Sequence, residues 1–170
     1  LSTHALDGVT QLGSIYIIAA LCVVLAVVAT IRQRSAWIAV FIVAVIVGEE
    51  ILTLTVKHLD DRLRPTFNPA AATLGPSFPS GHSATAAAFY AAAALVIGRR
   101  QSPQVRAVLV GLAVGIAVAV ASSRVLLDVH WLTDVIAGLG LGWAWFAACA
   151  IAFGGRVLRF GATAETAAVV

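Results

Sequence analysis

Charge is scarce in this chain. Asp, Glu, Lys and Arg make up 11% of its 170 residues, against roughly a quarter in soluble domains, and mean hydropathy is +0.98. A water-soluble globular domain is thereby excluded, and the chain reads as an integral membrane protein. Methionine is absent and the chain starts at Leu1, so it is expected to begin after its native start. Cysteine is limited to Cys22 and Cys149. Both fall in apolar runs without a metal-ligand spacing such as CxxC, and read as inert packing thiols. The net charge of +3 is divided among short loops and a motif cluster, which excludes a nucleic-acid patch. No basic segment precedes the first apolar run and no cleavage-like segment follows it, so that run is expected to be a permanent span, not a signal peptide. No linker, repeat or low-complexity stretch interrupts the chain, and residues 1–170 are expected to form one transmembrane domain.

What the chain has instead is long apolar runs. Five candidate spans, about Gly13 to Ile31, Trp37 to Val56, Ser83 to Gly98, Val105 to Ser122 and Leu132 to Phe153, approach the roughly 17–25 residues that cross a bilayer. The expected fold is an all-α polytopic bundle of five spans, six if one precedes Leu1. Gly111 with Gly115 and Gly138 with Gly142 have the small-xxx-small spacing that lets helices approach closely in lipid. Gly138, Gly140 and Gly142 imitate part of a dinucleotide fingerprint but lack the preceding strand. Trp37 and Trp131 fall at opposite expected interfaces.

Sorting the basic residues by joint puts Arg32, Arg34, Arg99, Arg100, Arg106, Arg156 and Arg159 on one side. Lys57, Arg62, Arg64 and Arg124 fall on the other. The positive-inside rule makes the first group cytoplasmic and directs the second group outward.

That outward group coincides with three polar stretches. Lys57 and Arg64 are seven residues apart, about two turns or roughly 10 Å on a continuing helix, which Pro65 would stop. Pro79, Ser80, Gly81 and His82 open the third span, where free backbone N–H groups and a hydroxyl suit an anion. His130 and Asp134, one turn apart at the head of the last span, allow a carboxylate to fix the imidazole tautomer and free the other nitrogen. Arg124 precedes them across a short polar turn, Ser123 to Trp131, and can hold the same anion. Each stretch alone has a plainer reading: interfacial cations snorkelling to headgroups, a helix start capped by Ser80 or Ser83, or an interfacial histidine near a helix-terminal aspartate. Asp60, Asp61 and Arg62 read as solvated loop charges. Glu49 and Glu50 lie inside the second span, where carboxylates are costly, and lean towards a buried structural role.

Taken in order, Lys57-x6-Arg64-Pro65, Pro79-Ser80-Gly81-His82 and Ser123-Arg124-x5-His130-x3-Asp134 resemble the three-part signature of the type 2 phosphatidic acid phosphatase superfamily. The resemblance is dense from Lys57 to Gly142 and includes a pre-span segment like Leu6 to Ser14. It implies a helical membrane phosphatase without a metal or other cofactor, acting through a phosphohistidine. His130 would be the nucleophile, Asp134 its orienting partner and His82 the general acid. Lys57, Arg64, Arg124, Ser80 and the Gly81 N–H would bind the phosphoryl oxygens. The implied substrate is a lipid-linked phosphate or diphosphate at the outer face of the plasma membrane, polyprenyl first, then phosphatidic acid or phosphatidylglycerol phosphate. Relatives often carry a small residue at Asp128 and proline at Leu132. Two other readings stand beside this one: a small transporter or channel using Glu49 and Glu50, and a vanadate-dependent haloperoxidase, whose members share the signature but are generally larger and soluble. No oligomeric state follows from the sequence.

Overall fold

The computed structural model describes residues 3–65 and 74–154. Arg156 and Arg159, two of the arginines sorted above, lie outside them. Six helices and no strand occur among the described residues: α1 (Thr3–Gln11), α2 (Ile15–Gln33), α3 (Trp37–Leu59), α4 (Gly81–Gly98), α5 (Pro103–Leu126) and α6 (Leu132–Ala152). The last five are long and apolar enough to cross a membrane, in agreement with the five expected spans. Ahead of the first span, the short helix α1 overlaps the pre-span segment named between Leu6 and Ser14.

Local chemistry sets the ends. Arg34 closes α2 in the left-handed conformation (φ 50°, ψ 43°). Ser102 caps α5, its side chain accepting from the Val105 N–H at 3.4 Å, and Pro103 takes the first helical position, where its missing donor costs nothing. The far end of α5 departs from the hydropathy reading, which stops the span at Ser122. The helix continues to Leu126 because the Ser123 hydroxyl is satisfied inside it, donating to Val120 O at 2.7 Å. Arg124 thus stands on a helix, and the turn before α6 is shorter than expected.

The central element is α4, which packs against α2, α3, α5 and α6. Its surface of small residues makes this possible: Ala84, Ala86, Ala87, Ala88 and Ala92 are all buried. A larger aliphatic and aromatic cluster, including Ile18, Phe41, Ile42, Val45, Phe89 and Val96, fills the other half of the bundle.

The two glycine pairs behave differently. A Cβ on Gly138 would come within 2.5 Å of Ser80 O, and one on Gly142 would run into Ala84 O. These two glycines let α6 lie directly on the first turns of α4. Among the described residues nothing lies within 4 Å of such a Cβ on Gly111 or Gly115, so the expected close packing is not found among them. The shared spacing states that one helix face is small, without stating what covers it. Gly138→Val is therefore expected to lower the thermal midpoint in detergent and abolish activity. Gly111→Ala and Gly115→Ala should leave stability within about 0.5 kcal/mol of the parent or slightly above it.

Candidate active site

The three polar stretches meet at one end of the bundle. Lys57 projects from the last turn of α3, its Nζ donating to Pro76 O at 2.9 Å. The helix does not continue to Pro65 as expected. It stops at Leu59, with Asp60 extended (φ −129°, ψ 100°); Asp60 and Asp61 are poor helix formers whose side chains compete for the backbone. Arg64 therefore arrives on extended chain, and its guanidinium spreads across the site. Nε donates to Gly75 O at 2.9 Å, Nη1 to Val129 O at 2.8 Å, and Nη2 to Pro76 O at 3.2 Å. Lys57 and Arg64 thus share one carbonyl oxygen.

The same Nη1 lies 3.1 Å from His130 Nε2. A guanidinium has donors only, so Nε2 accepts and the proton of the neutral ring sits on Nδ1. Nδ1 faces Asp134 Oδ2 at 3.5 Å, within ion-pair reach but longer than a hydrogen bond. His130 precedes α6 and does not lie on it, so the pair meets through the helix-start turn and not across one helical face. The Trp131 N–H donates to Asp134 Oδ2 at 2.9 Å, which fixes that turn. Burial, followed by the charges of Arg64, Arg124 and Lys57, lowers the His130 pKa to about 2. A neutral imidazole with a lone pair on Nε2 is the consequence.

Asp134 is wholly buried and is held from a direction the sequence reading missed. Arg62 Nη1 donates to Asp134 Oδ1 at 2.9 Å and to Thr133 Oγ1 at 2.7 Å. Arg62 is accordingly not a solvated loop charge: its side chain is 38% exposed and bridged to a carboxylate that is 0% exposed. Seventy-two residues separate the partners, and no local pattern announces such a pair. The available signal was its register, two positions before Arg64 on chain that is extended.

Ser80 precedes α4 and is fully buried; its N–H donates to Asp134 O at 3.0 Å and its Oγ accepts from Ser83 Oγ at 3.0 Å. Gly81 and His82 form the first turn of α4. The charges of Lys57, Arg64 and Arg124 reach both His82 and His130. Arg124 Nη1 donates to Thr10 Oγ1 of α1 at 3.0 Å. The pre-span segment is thereby part of the site's frame, and Tyr90 Oη reinforces it by donating to Leu12 O at 2.9 Å.

Asp128 is exposed and adopts φ 55°, a left-handed conformation that glycine and, to a lesser extent, aspartate tolerate. Leu132 is the first residue of α6, where proline is well suited. Both departures from the common pattern fall where the backbone explains the usual residue. Glu49 is fully buried and accepts from Thr53 Oγ1 at 2.6 Å. Among the described residues no three His, Cys, Asp or Glu are grouped as metal ligands would be.

The His130 environment has a consequence for stability. An unfolded chain takes up a proton near the ordinary imidazole value of 6.5, which folded His130 refuses until about 2. Its contribution is therefore complete above pH 6.5 and declines as pH falls below it. Thermal midpoints at pH 8 and pH 5 are expected to drop less for His130→Gln than for the parent.

Comparison with known proteins bears on the family and the fold. The PAP2 superfamily profile matches residues 8–157. Phosphatidylglycerophosphatase B of Bacillus subtilis (strain 168) is 33% identical over 144 residues, 82% of this chain and 69% of that protein. A lipid A 1-phosphatase of Rhizobium etli is 32% identical over 120 residues, 65% of this chain. The chain spans 47% of that relative's length. The crystal structure of a transmembrane PAP2 type phosphatidylglycerolphosphate phosphatase from Bacillus subtilis superimposes with a TM-score of 0.85 at 29% identity, covering 94% of this chain and 79% of that one. With five apolar spans, a cationic cluster around two histidines and a profile match over most of its length, the chain belongs to the PAP2 superfamily of membrane phosphatases.

Proposed function

We propose that this protein hydrolyses a lipid-borne phosphate monoester or diphosphate through a phosphohistidine on His130, without a metal ion. The observation that carries the reading is the position of His130, between the Arg64 guanidinium on Nε2 and the Asp134 carboxylate on Nδ1. A phosphoryl oxygen takes over the Arg64 donor, and this releases the Nε2 lone pair towards phosphorus. The N–P bond forms as the P–O bond to the lipid breaks, and His82, which takes up a proton from the entering phosphate as its negative charge offsets the three cations, protonates the departing oxygen. Positive charge then appears on the His130 ring, and the Nδ1 proton is drawn to Asp134. In the second half, His82 accepts a proton from water, water oxygen attacks phosphorus, the N–P bond breaks, and inorganic phosphate leaves. Lys57, Arg64 and Arg124, with Ser80 and the Gly81 N–H, stabilise the charge on the equatorial oxygens.

The site's place at the end of the spans suits a substrate whose tail stays in lipid. The excess of arginine at the other end supports an extracytoplasmic site in the plasma membrane. Polyprenyl phosphates and diphosphates head the substrate classes. The relatives' names set phosphatidylglycerol phosphate and lipid A phosphate beside them, with phosphatidic acid as a further candidate.

Phosphate release over a panel of these lipids, in detergent with excess chelator, is expected to persist in the parent and to fall by about 10³-fold or more in His130→Ala. Vanadate should inhibit as a mimic of the pentacoordinate state. Equal release by both proteins would refute the proposal.

Arg62 completes the reading as a positioning residue. It neutralises and orients the face of Asp134 turned away from the imidazole. Arg62→Ala is expected to lower kcat by about 10²-fold with little change in KM. Arg62→Lys should recover part of the loss, since it restores the charge without the planar fork. A proportional rise in KM would assign Arg62 to substrate binding instead.

A further inference from the structure

The end of the bundle away from the histidines carries a second concentration of arginine. Arg32, in the last turn of α2, and Arg99 and Arg100, just past α4, line one cavity of about 300 Å³ between those helices, with Gln33 beside them. The rest of the wall is largely aliphatic and includes Leu25, Val28 and Ile97. Two polar atoms here are shielded and unpartnered among the described residues, the donor Arg99 Nη1 and the acceptor Gln33 Oε1. Gln33 Nε2 donates to Val96 O at 3.4 Å.

No counter-ion is supplied by the described chain. Its acidic residues fall midway along α3, as Glu49 and Glu50, or at the histidine end. Burial, and then the neighbouring charge of Arg100, hold Arg99 below its ordinary range. The cavity therefore has arginine side chains at its polar end and a hydrocarbon surface leading away, and the shielded Arg99 Nη1 and Gln33 Oε1 come within a ligand's reach by a turn of their own side chains. Phosphodiester oxygens match the arginines, a headgroup hydroxyl the Gln33 acceptor and acyl chains the hydrocarbon surface. Free phosphate would leave the aliphatic wall unfilled. A zwitterionic lipid would bring its own cation against the arginines.

We propose that this cavity seats the headgroup of an anionic, hydroxyl-bearing phospholipid of the phosphatidylglycerol type, in the leaflet opposite the histidine site. Its phosphodiester accepts from Arg99 Nη1 and from Arg32 or Arg100, and its glycerol hydroxyl donates to Gln33 Oε1. The lipid serves here as a structural ligand, independent of turnover.

The test uses the His130→Ala protein in detergent, titrated with phosphatidylglycerol, phosphatidylcholine or glycerol phosphate. Thermal midpoints report stabilisation and native mass spectrometry counts bound lipid. Phosphatidylglycerol is expected to raise the midpoint and to remain bound at one per chain, with no comparable effect from the other two. Arg99→Gln should raise the half-saturating concentration at least tenfold. Ile97→Trp, which fills the cavity and keeps the charge, should do the same. Equal effects of phosphatidylglycerol and phosphatidylcholine would overturn the proposal, as would unchanged binding in both variants. Loss of binding in Lys57→Ala alone would assign the lipid to the histidine end and overturn it equally.

Discussion

One buried carboxylate organises the histidine end of this molecule. Asp134 has no contact with solvent, and its two oxygens are divided between Arg62 on one side and the Trp131 N–H and His130 ring on the other. Its backbone carbonyl also accepts from Ser80. The start of α6, the chain beyond α3 and the start of α4 are thus tied to a single residue. A charge in such a place is tolerable only with this many partners. Removing any of them leaves the others aimed at a group that has moved or lost its compensation.

Close approach of two helices is what allows the arrangement. Gly138 and Gly142 remove the side chains that would separate α6 from the alanine-rich surface of α4. The histidine-bearing turn can then descend onto Ser80. In a bilayer this contact replaces the hydrophobic drive that a soluble core would use. The packing of small residues and the chemistry of the site are consequences of the same geometry.

Much of this was legible in the sequence, for identifiable reasons. Hydropathy finds spans because lipid demands unbroken apolar helices, and the three polar stretches declare themselves because their spacings are local. Features that depend on distant partners were not legible. Arg62 sits beside two aspartates and looks solvated, yet its partner is on another helix. Gly111 and Gly115 share the spacing of the packed pair but meet nothing among the described residues. The extension of α5 was hidden because hydropathy registers Ser123 and Arg124 as polar, whereas the serine hydroxyl folds back onto its own helix. The role of Thr10 depends on a side chain more than a hundred positions away, and the pre-span segment from Leu6 to Ser14 was visible only through the family resemblance.

The carbonyl shared by Lys57 and Arg64 has a further consequence. Pro76 O, with its lone pairs turned towards both cations, acts as a resident surrogate for an anion and keeps the like charges from splaying apart when nothing is bound. A phosphoryl group bound as proposed would displace existing partners and would not meet bare cations. Under the proposed function, its net affinity is a difference between two sets of contacts, weaker than the charges alone would give.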